Sequence, residues 1–347
     1  MRLLSGVLAS RPFAATLVGD QYLEARPMRR VAEPLRRMGA RIEGREGKKP
    51  GEVYPPLVIG PLGGRLTGID YDSPHASAQV KSAVLLAALL AEGVTRVREP
   101  VRSRDHTERM LRAQGVPLSV DGNAIAIDPA GWDRRLAPLD LTVPGDLSSA
   151  AFLLGAAAVV PGSVLTVRGV GVNPTRTGVL DALAAMGAAI SVEPTGEVAG
   201  EPVADITAWG SPLAGTTIAG ELTVRAIDEL PLLAAVAAHA RGETTIRDAA
   251  ELRVKESDRI ASTVAALRGM GVGVDELPDG LVIHGRDGRV RGGAVDSRGD
   301  HRIAMAGCVC ALFAEAPTRI TDTANIATSF PTFVPVLLRL GAELVEG

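Results

Sequence analysis

Basic residues collect near the predicted starts of several helices, where they could bind an anion. Arginine and lysine are unfavourable beside the positive end of a helix dipole, so their presence there needs another explanation. Helix N-termini combined with several cations form strong sites for phosphate and carboxylate groups. The pattern therefore predicts a cavity for a ligand that carries several negative charges. The bases at these positions are Arg26, Arg104, Lys255, Arg259 and Arg302.

Acidic and hydroxyl residues at the same positions have a simpler interpretation. Aspartate and serine accept backbone N–H groups at helix starts, so we interpret Asp146, Ser148 and Ser149 as caps. Lysine is informative because only four of the 37 basic residues are lysines, and the two cations are not interchangeable at a binding site. Lys255 is therefore a candidate ligand contact, whereas Lys81 on a predicted helix could equally lie on the surface.

Other kinds of chemistry find little support. Cys308 and Cys310 lie in an apolar helical stretch without zinc-type spacing, so we predict a core role and no metal site. His239 and His284 are interpreted as structural or surface residues. No glycine-rich dinucleotide motif and no Walker lysine loop is present, so no cofactor is predicted.

Composition limits the partners and the compartment. The net charge of -3 and the lack of a basic run argue against nucleic acid. No apolar stretch is long enough to span a membrane, and no secretory signal is visible. With only two cysteines, the sequence favours a cytoplasmic protein that acts on small molecules.

The elements that must position these residues form a repeat. A helix that ends in a glycine cap and continues into a strand recurs five times, with intervals of 70 to 84 residues. The order of parts is an apolar helix, a short strand, a second helix, the cap and a further strand, which is typical of α/β units. The cap glycines are Gly39, Gly115, Gly187, Gly271 and Gly341.

The repeat predicts two domains. A polar, arginine-rich stretch at 132–139 precedes Val143-Pro144-Gly145 and marks the boundary, which gives domains 1–141 and 142–347. The first unit is short, since only 38 residues precede Gly39. The chain is therefore expected to begin inside a helix and to lack an N-terminal portion.

Several phrases together resemble one family, the 5-enolpyruvylshikimate-3-phosphate synthases (3-phosphoshikimate 1-carboxyvinyltransferases). The resemblance covers the whole chain in order, and the phrase 253–259 (Arg-Val-Lys-Glu-Ser-Asp-Arg) is its most specific part. The other phrases are Glu24-Ala25-Arg26-Pro27-Met28, Ser77-Ala78-Gln79-Val80-Lys81, Asp146-Leu147-Ser148-Ser149-Ala150, Asp300-His301-Arg302-Ile303-Ala304-Met305 and Ala327-Thr328-Ser329-Phe330-Pro331.

The family implies a fold and a reaction. The fold has two domains of repeated α/β units with helices inside and sheets outside, an arrangement resembling an inverse α/β barrel. The reaction transfers the enolpyruvyl group of phosphoenolpyruvate to the 5-hydroxyl of shikimate 3-phosphate and releases phosphate, on the route to chorismate and the aromatic amino acids. The family needs no metal or organic cofactor, and a monomer is expected for the full-length form.

The resemblance also implies roles for individual residues. Asp228 matches the base that takes the hydroxyl proton, and Glu256 matches the acid that protonates the methylene carbon. Residues that match contacts to phosphoenolpyruvate are Arg26, Gln79, Arg259 and Arg302. Residues that match contacts to shikimate 3-phosphate are Ser77, Ala78, Gln79, Ser103, Asp228 and Lys255.

Some features depart from the family pattern. Ala78, Glu251 and Thr328 stand where some members carry serine, asparagine and lysine. Relative to the family, the chain lacks the family's first unit and half of its second. The missing part includes a Lys-Ser-x-Ser-x-Arg helix start and a Gly-Asn-x-Gly-Thr loop. The alternatives are a UDP-N-acetylglucosamine enolpyruvyl transferase, which would need a reactive loop cysteine, and an inactive truncated remnant.

Overall fold

The computed structural model describes residues 1–47 and 50–345, which form two compact units. Unit 1 consists of Met1–Leu141 together with Ala199–Glu201. Unit 2 consists of Thr142–Val198 and Pro202–Gly347. Each unit has its own hydrophobic core.

Unit 1 alternates helices with short strands in two sheets. A three-stranded sheet has the order β1-β3-β2, and a four-stranded sheet has the order β4-β5-β7-β6. Its elements are α1 (Arg2–Leu8), β1 (Ala15–Leu17), α2 (Gln21–Glu24), α3 (Arg29–Arg37), β2 (Ile42–Glu46), β3 (Val53–Ile59), β4 (Asp70–Asp72), α4 (Ala78–Ala88), β5 (Thr95–Arg98), α5 (His106–Ala113), β6 (Leu118–Asp121) and β7 (Ala124–Ile127).

Unit 2 repeats the pattern with sheets of order β8-β10-β9, β11-β12-β14-β13 and β15-β16. A short 3₁₀ helix covers Ala250–Val254. The other elements are α6 (Leu147–Val159), β8 (Val164–Gly171), α7 (Gly178–Ala185), β9 (Ala189–Val198), β10 (Glu201–Trp209), β11 (Thr217–Ile218), α8 (Glu221–Arg225), α9 (Leu230–Ala237), β12 (Arg241–Ile246), α10 (Arg259–Gly269), β13 (Gly273–Leu277), β14 (Gly280–Arg286), β15 (Gly293–Asp296), α11 (His301–Ala311), β16 (Thr318–Thr321), α12 (Ile326–Ser329) and α13 (Phe333–Arg339).

The most apolar helices form the centre of each unit. In unit 2, α6, α9 and α11 are built mainly from small and branched apolar residues, and they pack against one another. A helix that is hydrophobic on all sides must be buried, and nearly every residue of these three helices is. In unit 1, α4 has this role and packs against α1 and α3. The strands place one face on this helical core and leave the other face more exposed.

The five repeated cap glycines have the same local geometry. Each one follows a helix and has a positive φ between 76° and 100°, which the absence of a side chain allows. After each glycine, the next backbone N–H donates back to a carbonyl in the last turn of the helix, as from Ala40 to Leu35 and from Ala342 to Leu337. This is the Schellman arrangement, so the predicted caps are confirmed.

The second helices of the units begin later than the sequence indicated. Helix α3 begins at Arg29, α5 at His106 and α10 at Arg259. Arg26, Arg104 and Lys255 therefore lie in the preceding loops, and their prediction at helix starts was wrong. For α10 the physical reason is that the Asp258 side chain accepts the Ala261 backbone N–H and so fixes the helix start after Lys255.

Candidate active site

Arg259 is the central cation of a cluster in unit 2. It begins α10, its side chain is 2% exposed, and three carboxylates surround its guanidinium. Nε donates to Asp300 Oδ2 at 2.8 Å, and Nη2 donates to Glu256 Oε2 at 2.6 Å. Nη1 lies 3.7 Å from Asp228 Oδ1. One planar guanidinium therefore orients several acids at once, which its fixed set of five donors allows.

Asp228 lies between two cations. Its Oδ1 is 3.6 Å from Lys255 Nζ as well as 3.7 Å from Arg259 Nη1. Lys255 also contacts Glu251 Oε1 at 3.2 Å. Asp228 and Lys255 are about one fifth exposed, and Glu256 is slightly more exposed. These acids can therefore be reached by a ligand, whereas the guanidinium that orients them is buried.

Asp300 anchors this cluster to the helical core. It is completely buried at the start of α11, where Oδ1 accepts the Arg302 backbone N–H at 2.9 Å and caps the helix. Oδ2 accepts from Arg259 and, at 3.1 Å, from the Ser257 hydroxyl. Burial alone would raise the pKa of Asp300, but the adjacent Arg259 charge and these hydrogen bonds hold that pKa below its ordinary value.

Arg302 is held by the residues at the start of α9. Its Nη1 donates to the Asp228 backbone carbonyl at 2.7 Å and lies 3.4 Å from Glu229 Oε1. Ser148 also donates to Glu229 Oε1, and Arg176 in turn donates to the Ser148 hydroxyl. This chain of bonds fixes one edge of the Arg302 guanidinium.

Glu229 is a buried acid to which the sequence assigned no role. It is 1% exposed, and its Oε2 has no hydrogen-bond partner within the described residues. Burial raises the pKa of Glu229, and the opposing effects of Arg302 and Ser148 are smaller. Ser148 serves this network rather than a helix cap, whereas Asp146 does cap α6 as predicted by accepting from Ser149 N at 3.0 Å.

A second cluster, in unit 1, brings together two serines that were predicted to contact a ligand. Ser77 immediately precedes α4, and Ser103 lies in the loop before α5. Glu99, which follows β5, accepts from both: its Oε1 is 3.0 Å from Ser77 N and 2.7 Å from Ser103 Oγ. The carboxylate therefore links the start of one helix to the loop before another.

Lys81 completes this second cluster. Its Nζ lies 2.9 Å from Glu99 Oε2 and 2.7 Å from Glu108 Oε1, and all three side chains are at most 4% exposed. The sequence left Lys81 open between a site and the surface, and the structure places it in the interior of unit 1. Its rarity among the basic residues was the one signal that pointed to it.

The remaining predicted residues of unit 1 lie at the start of α4 and in the loop before α3. Ala78 and Gln79 are the first two residues of α4, and Gln79 accepts a hydrogen bond of 2.6 Å from Arg2 Nη1. Arg26 is half-buried in the loop before α3. Unit 1 thus contains Arg26, Ser77, Ala78, Gln79 and Ser103, and unit 2 contains Asp228, Lys255, Glu256, Arg259 and Arg302.

The residues that sequence reasoning missed are mainly buried carboxylates. Glu99 and Glu108 carry no motif, and Asp300 was noted only as part of a helix start. A signal existed for Glu229, because it directly follows Asp228 and precedes the apolar residues of α9. Pairing among these groups depends on elements far apart in the sequence, so no local pattern could reveal it.

The two cysteines and His239 behave as structural residues. Cys308 and Cys310 are free and buried in α11, and burial raises the pKa of each thiol to about 12. Their predicted core role is confirmed. His239 is buried between the backbone carbonyls of Gly288 and Cys310, at 2.8 and 3.1 Å. In the described part of the chain, no three His, Cys, Asp or Glu side chains are grouped so that they could hold a metal ion.

Comparison with known proteins identifies the family. The family model described as EPSP synthase (3-phosphoshikimate 1-carboxyvinyltransferase) matches residues 1–337. The chain belongs to the EPSP synthase family. The resemblance on which the sequence analysis relied is thereby confirmed, as is the assignment to a transferase class of aromatic amino acid biosynthesis.

Curated relatives match nearly all of this chain. A 3-phosphoshikimate 1-carboxyvinyltransferase from Geobacter sulfurreducens is 53% identical over 337 residues, which are 97% of this chain and 76% of that protein. One from Gloeobacter violaceus is 55% identical over 344 residues, which are 98% of this chain and 77% of that protein. The chain therefore spans about three quarters of the length of these relatives.

Solved structures show the same fold. The EPSP synthase from Acinetobacter baumannii superposes with a TM-score of 0.88 at 45% identity and covers 99% of this chain and 77% of that one. The enolpyruvyl transferase NikO from Streptomyces tendae has a TM-score of 0.74 at 21% identity, with 98% and 76% coverage, and shows the fold alone. The predicted α/β enolpyruvyl transferase fold is confirmed. The alternative of a UDP-N-acetylglucosamine enolpyruvyl transferase is not favoured, since both curated relatives are named 3-phosphoshikimate 1-carboxyvinyltransferase.

No helix among the described residues combines the length and apolar character that crossing a bilayer requires.

Proposed function

We propose that this chain transfers the enolpyruvyl group of phosphoenolpyruvate to the 5-hydroxyl of shikimate 3-phosphate and releases phosphate. The observation that carries the proposal is the Arg259 cluster: two accessible acids, Asp228 and Glu256, lie on one buried guanidinium. An addition followed by an elimination needs a base and an acid held in fixed relation to each other, and this geometry provides that relation.

In the addition step, Asp228 takes the proton of the attacking hydroxyl. The hydroxyl oxygen forms a bond to the central carbon of phosphoenolpyruvate, and Glu256 donates a proton to the methylene carbon. The product of this step is a tetrahedral adduct that still carries the phosphate. The nearby Lys255 ammonium, 3.6 Å from Asp228, stabilises the charges that move during the step.

In the elimination step, the methyl carbon loses a proton and the bond to phosphate breaks. The electron pair of the C–H bond forms the new double bond, and phosphate leaves with the pair of the C–O bond and takes up the proton that Asp228 received in the addition step. Glu256 in its deprotonated form is the group that accepts the proton. The net result is the enol ether of shikimate 3-phosphate plus phosphate, so no oxidant or reductant is required.

Both substrates carry several negative charges, which the two clusters suit. From the family resemblance we assign Arg26, Gln79, Arg259 and Arg302 to phosphoenolpyruvate. Arginine binds phosphate and carboxylate with paired hydrogen bonds, and this makes it the appropriate cation. We assign shikimate 3-phosphate to Ser77, Ala78, Gln79, Ser103, Asp228 and Lys255.

The wider setting is part of the same proposal. Residues 1–141 are taken as an N-terminal-type domain and 142–347 as a C-terminal-type domain. We propose that the protein acts on small molecules in the cytoplasm, without nucleic acid, metal or cofactor, and that its full-length form is a monomer. The low net charge of -3 and the absence of a basic run support the exclusion of nucleic acid.

The test is phosphate release by the purified chain with both substrates, with product identified by mass spectrometry. The variant Asp228→Asn should lower kcat by about 10²- to 10⁴-fold while shikimate 3-phosphate still binds, since it removes the base and keeps the shape. Asp275→Asn is the matched control, because Asp275 is an exposed aspartate of the same unit that pairs with His284. It should leave kcat unchanged.

The outcomes separate the alternatives. Unchanged turnover in Asp228→Asn would refute its assignment as the base. Phosphate release with UDP-N-acetylglucosamine in place of shikimate 3-phosphate would support the sister reaction. No release by the unaltered chain with any of these substrates, at saturating concentrations, would support the inactive remnant.

A further inference from the structure

We propose that Lys81, Glu99 and Glu108, here called the buried triad, form a positioning device for the phosphate-bearing substrate. The triad holds Ser77 and Ser103 at a fixed separation, so that the ligand meets a site that is already assembled. The identity of the ligand rests on the proposed function, but the positioning role rests only on the geometry of unit 1.

Glu99 makes the contacts that carry this role. Its Oε1 accepts from the Ser77 backbone N–H at 3.0 Å and from the Ser103 hydroxyl at 2.7 Å. Its Oε2 accepts from the same hydroxyl at 2.8 Å and from the Ser103 backbone N–H at 3.3 Å. One carboxylate thus ties together two segments that are 26 residues apart in the sequence.

The hydrogen bonds of Glu99 leave the Ser77 hydroxyl and the first turn of α4 available to a ligand. Glu99 occupies the Ser77 backbone N–H, whereas the Ser77 hydroxyl makes no cap to α4. The first turn of α4, an eleven-residue helix, therefore has no side-chain cap at its positive end. The backbone N–H groups in the first turn of α4 and the Ser77 hydroxyl can together bind a phosphate oxygen.

Burying the three charged groups of the triad costs free energy that an apolar core would not cost. Three buried charged groups lose their hydration, and apolar residues of similar size often stabilise such a place equally well. Glu108 Oε2 is buried without a hydrogen-bond partner in the described part of the chain, which adds to the cost. Stability alone therefore does not account for the triad, whereas a requirement for a fixed site does.

Lys81 has a specific part in this arrangement. A carboxylate beside a site for an anion would repel the ligand, and the ammonium 2.9 Å from Glu99 reduces that repulsion. Glu108, 2.7 Å away on α5, holds the other side of the ammonium. Lys81 Nζ also lies 3.4 Å from the Ser103 carbonyl, so the cation contacts the same loop.

The decisive comparison is between Glu99→Gln and Glu108→Gln. Each substitution replaces one of the two carboxylates that pair with Lys81 by a neutral amide of similar volume. Of the two glutamates, only Glu99 contacts Ser77 and Ser103. We expect Glu99→Gln to speed amide exchange at Ser77 and Ser103 and to weaken shikimate 3-phosphate binding, each by about 10-fold, because charge-assisted hydrogen bonds are lost. Glu108→Gln should leave both within about 2-fold. Amide exchange is read by NMR on the ligand-free chain, and affinity by titration calorimetry.

A second variant guards against misfolding. Glu99→Asp keeps the charge that Lys81 needs, but its shorter side chain cannot span both segments. It should therefore fold, as checked by circular dichroism, and show the same two changes as Glu99→Gln.

Unchanged exchange at Ser77 and Ser103 in both Glu99 variants overturns the proposal, and so do equal effects from Glu108→Gln. Faster exchange with unaltered shikimate 3-phosphate affinity also overturns it. If the unaltered chain binds no shikimate 3-phosphate while its exchange still responds to Glu99, the positioning role is supported and the proposed function alone fails.

Discussion

Unit 1 and unit 2 each use one buried carboxylate to join a helix start, a loop serine and a cation. In unit 1, Glu99 joins Ser77 N, the Ser103 hydroxyl and Lys81. In unit 2, Asp300 joins the Arg302 backbone N–H, the Ser257 hydroxyl and Arg259. The two anchors have the same logic but different cations.

The choice of cation follows from what else the cation must do. Lys81 is buried, and its ion pairs are with two buried carboxylates, so a compact ammonium is sufficient. Arg259 is equally buried, yet its guanidinium extends from Asp300 to the accessible acids Glu256 and Asp228. A planar guanidinium with five donors can bond to the buried Asp300 and orient the accessible acids at the same time, whereas a single ammonium cannot. The comparison teaches that the unit 1 cluster fixes a shape, whereas the unit 2 cluster also orients reactive groups.

The largest expected effect comes from removing the enclosed cation. Lys81→Met leaves the buried Glu99 and Glu108 carboxylates without their cation, which should lower the free energy of unfolding by about 3–5 kcal/mol. Lys255→Met is the matched control, since this lysine pairs with Asp228 and Glu251 but is part-exposed, and should cost only about 0–1 kcal/mol. Urea denaturation measures both. Equal losses in the two variants would remove the distinction between the clusters.

An intermediate effect is expected from exchanging the planar cation for a compact one. In Arg259→Lys, one ammonium cannot contact Asp300 and also reach Glu256 and Asp228. We expect kcat/KM for phosphate release to fall by about 100-fold through lost orientation. Arg268→Lys is the control on the same helix, where the arginine donates to the Val274 carbonyl, and its kcat/KM should not change. Full activity in Arg259→Lys would contradict the role given to the guanidinium.

The smallest expected effect is a change in the pH dependence of stability that Glu229, the second buried acid of unit 2, causes. Burial raises the folded-state pKa of Glu229 above its ordinary value of 4.5, so the unfolded chain loses this proton first as pH rises. The contribution of Glu229 to stability is therefore complete below pH 4.5 and is lost as pH rises through the folded-state pKa. Glu229→Gln should remove this decline. The measurement is Tm as a function of pH for the variant and the unaltered chain.

Asp300 gives the opposite sign and serves as the internal contrast. Its folded-state pKa is lowered from 3.8, so its contribution is present above pH 3.8 and is lost as pH falls through the folded-state pKa. Asp300→Asn should flatten the acid side of the Tm profile and leave the decline above pH 4.5 in place. Profiles that change in the same direction in both variants would show that these two acids are not distinguished by their environments.

Much of the fold was predictable because its signals are local. A glycine after an apolar helix requires only the conformation of one residue and the hydrogen bonds of one turn. The motif around Lys255 and Arg259 is likewise contiguous, and it identified the family. Helix starts were less predictable: Lys255 lies in a loop because Asp258 caps α10, and Arg26 lies in the loop before α3.

The sequence by itself determined the repeated α/β units, their caps, the family and the chemistry that its motifs imply. Only the tertiary structure decided that Lys81 is enclosed between Glu99 and Glu108, and that Asp300 anchors Arg259. The physical reason is that these pairings join side chains from separate elements of each unit. Their energies depend on burial and on distances of about 3 Å, which exist only once helices and sheets have packed.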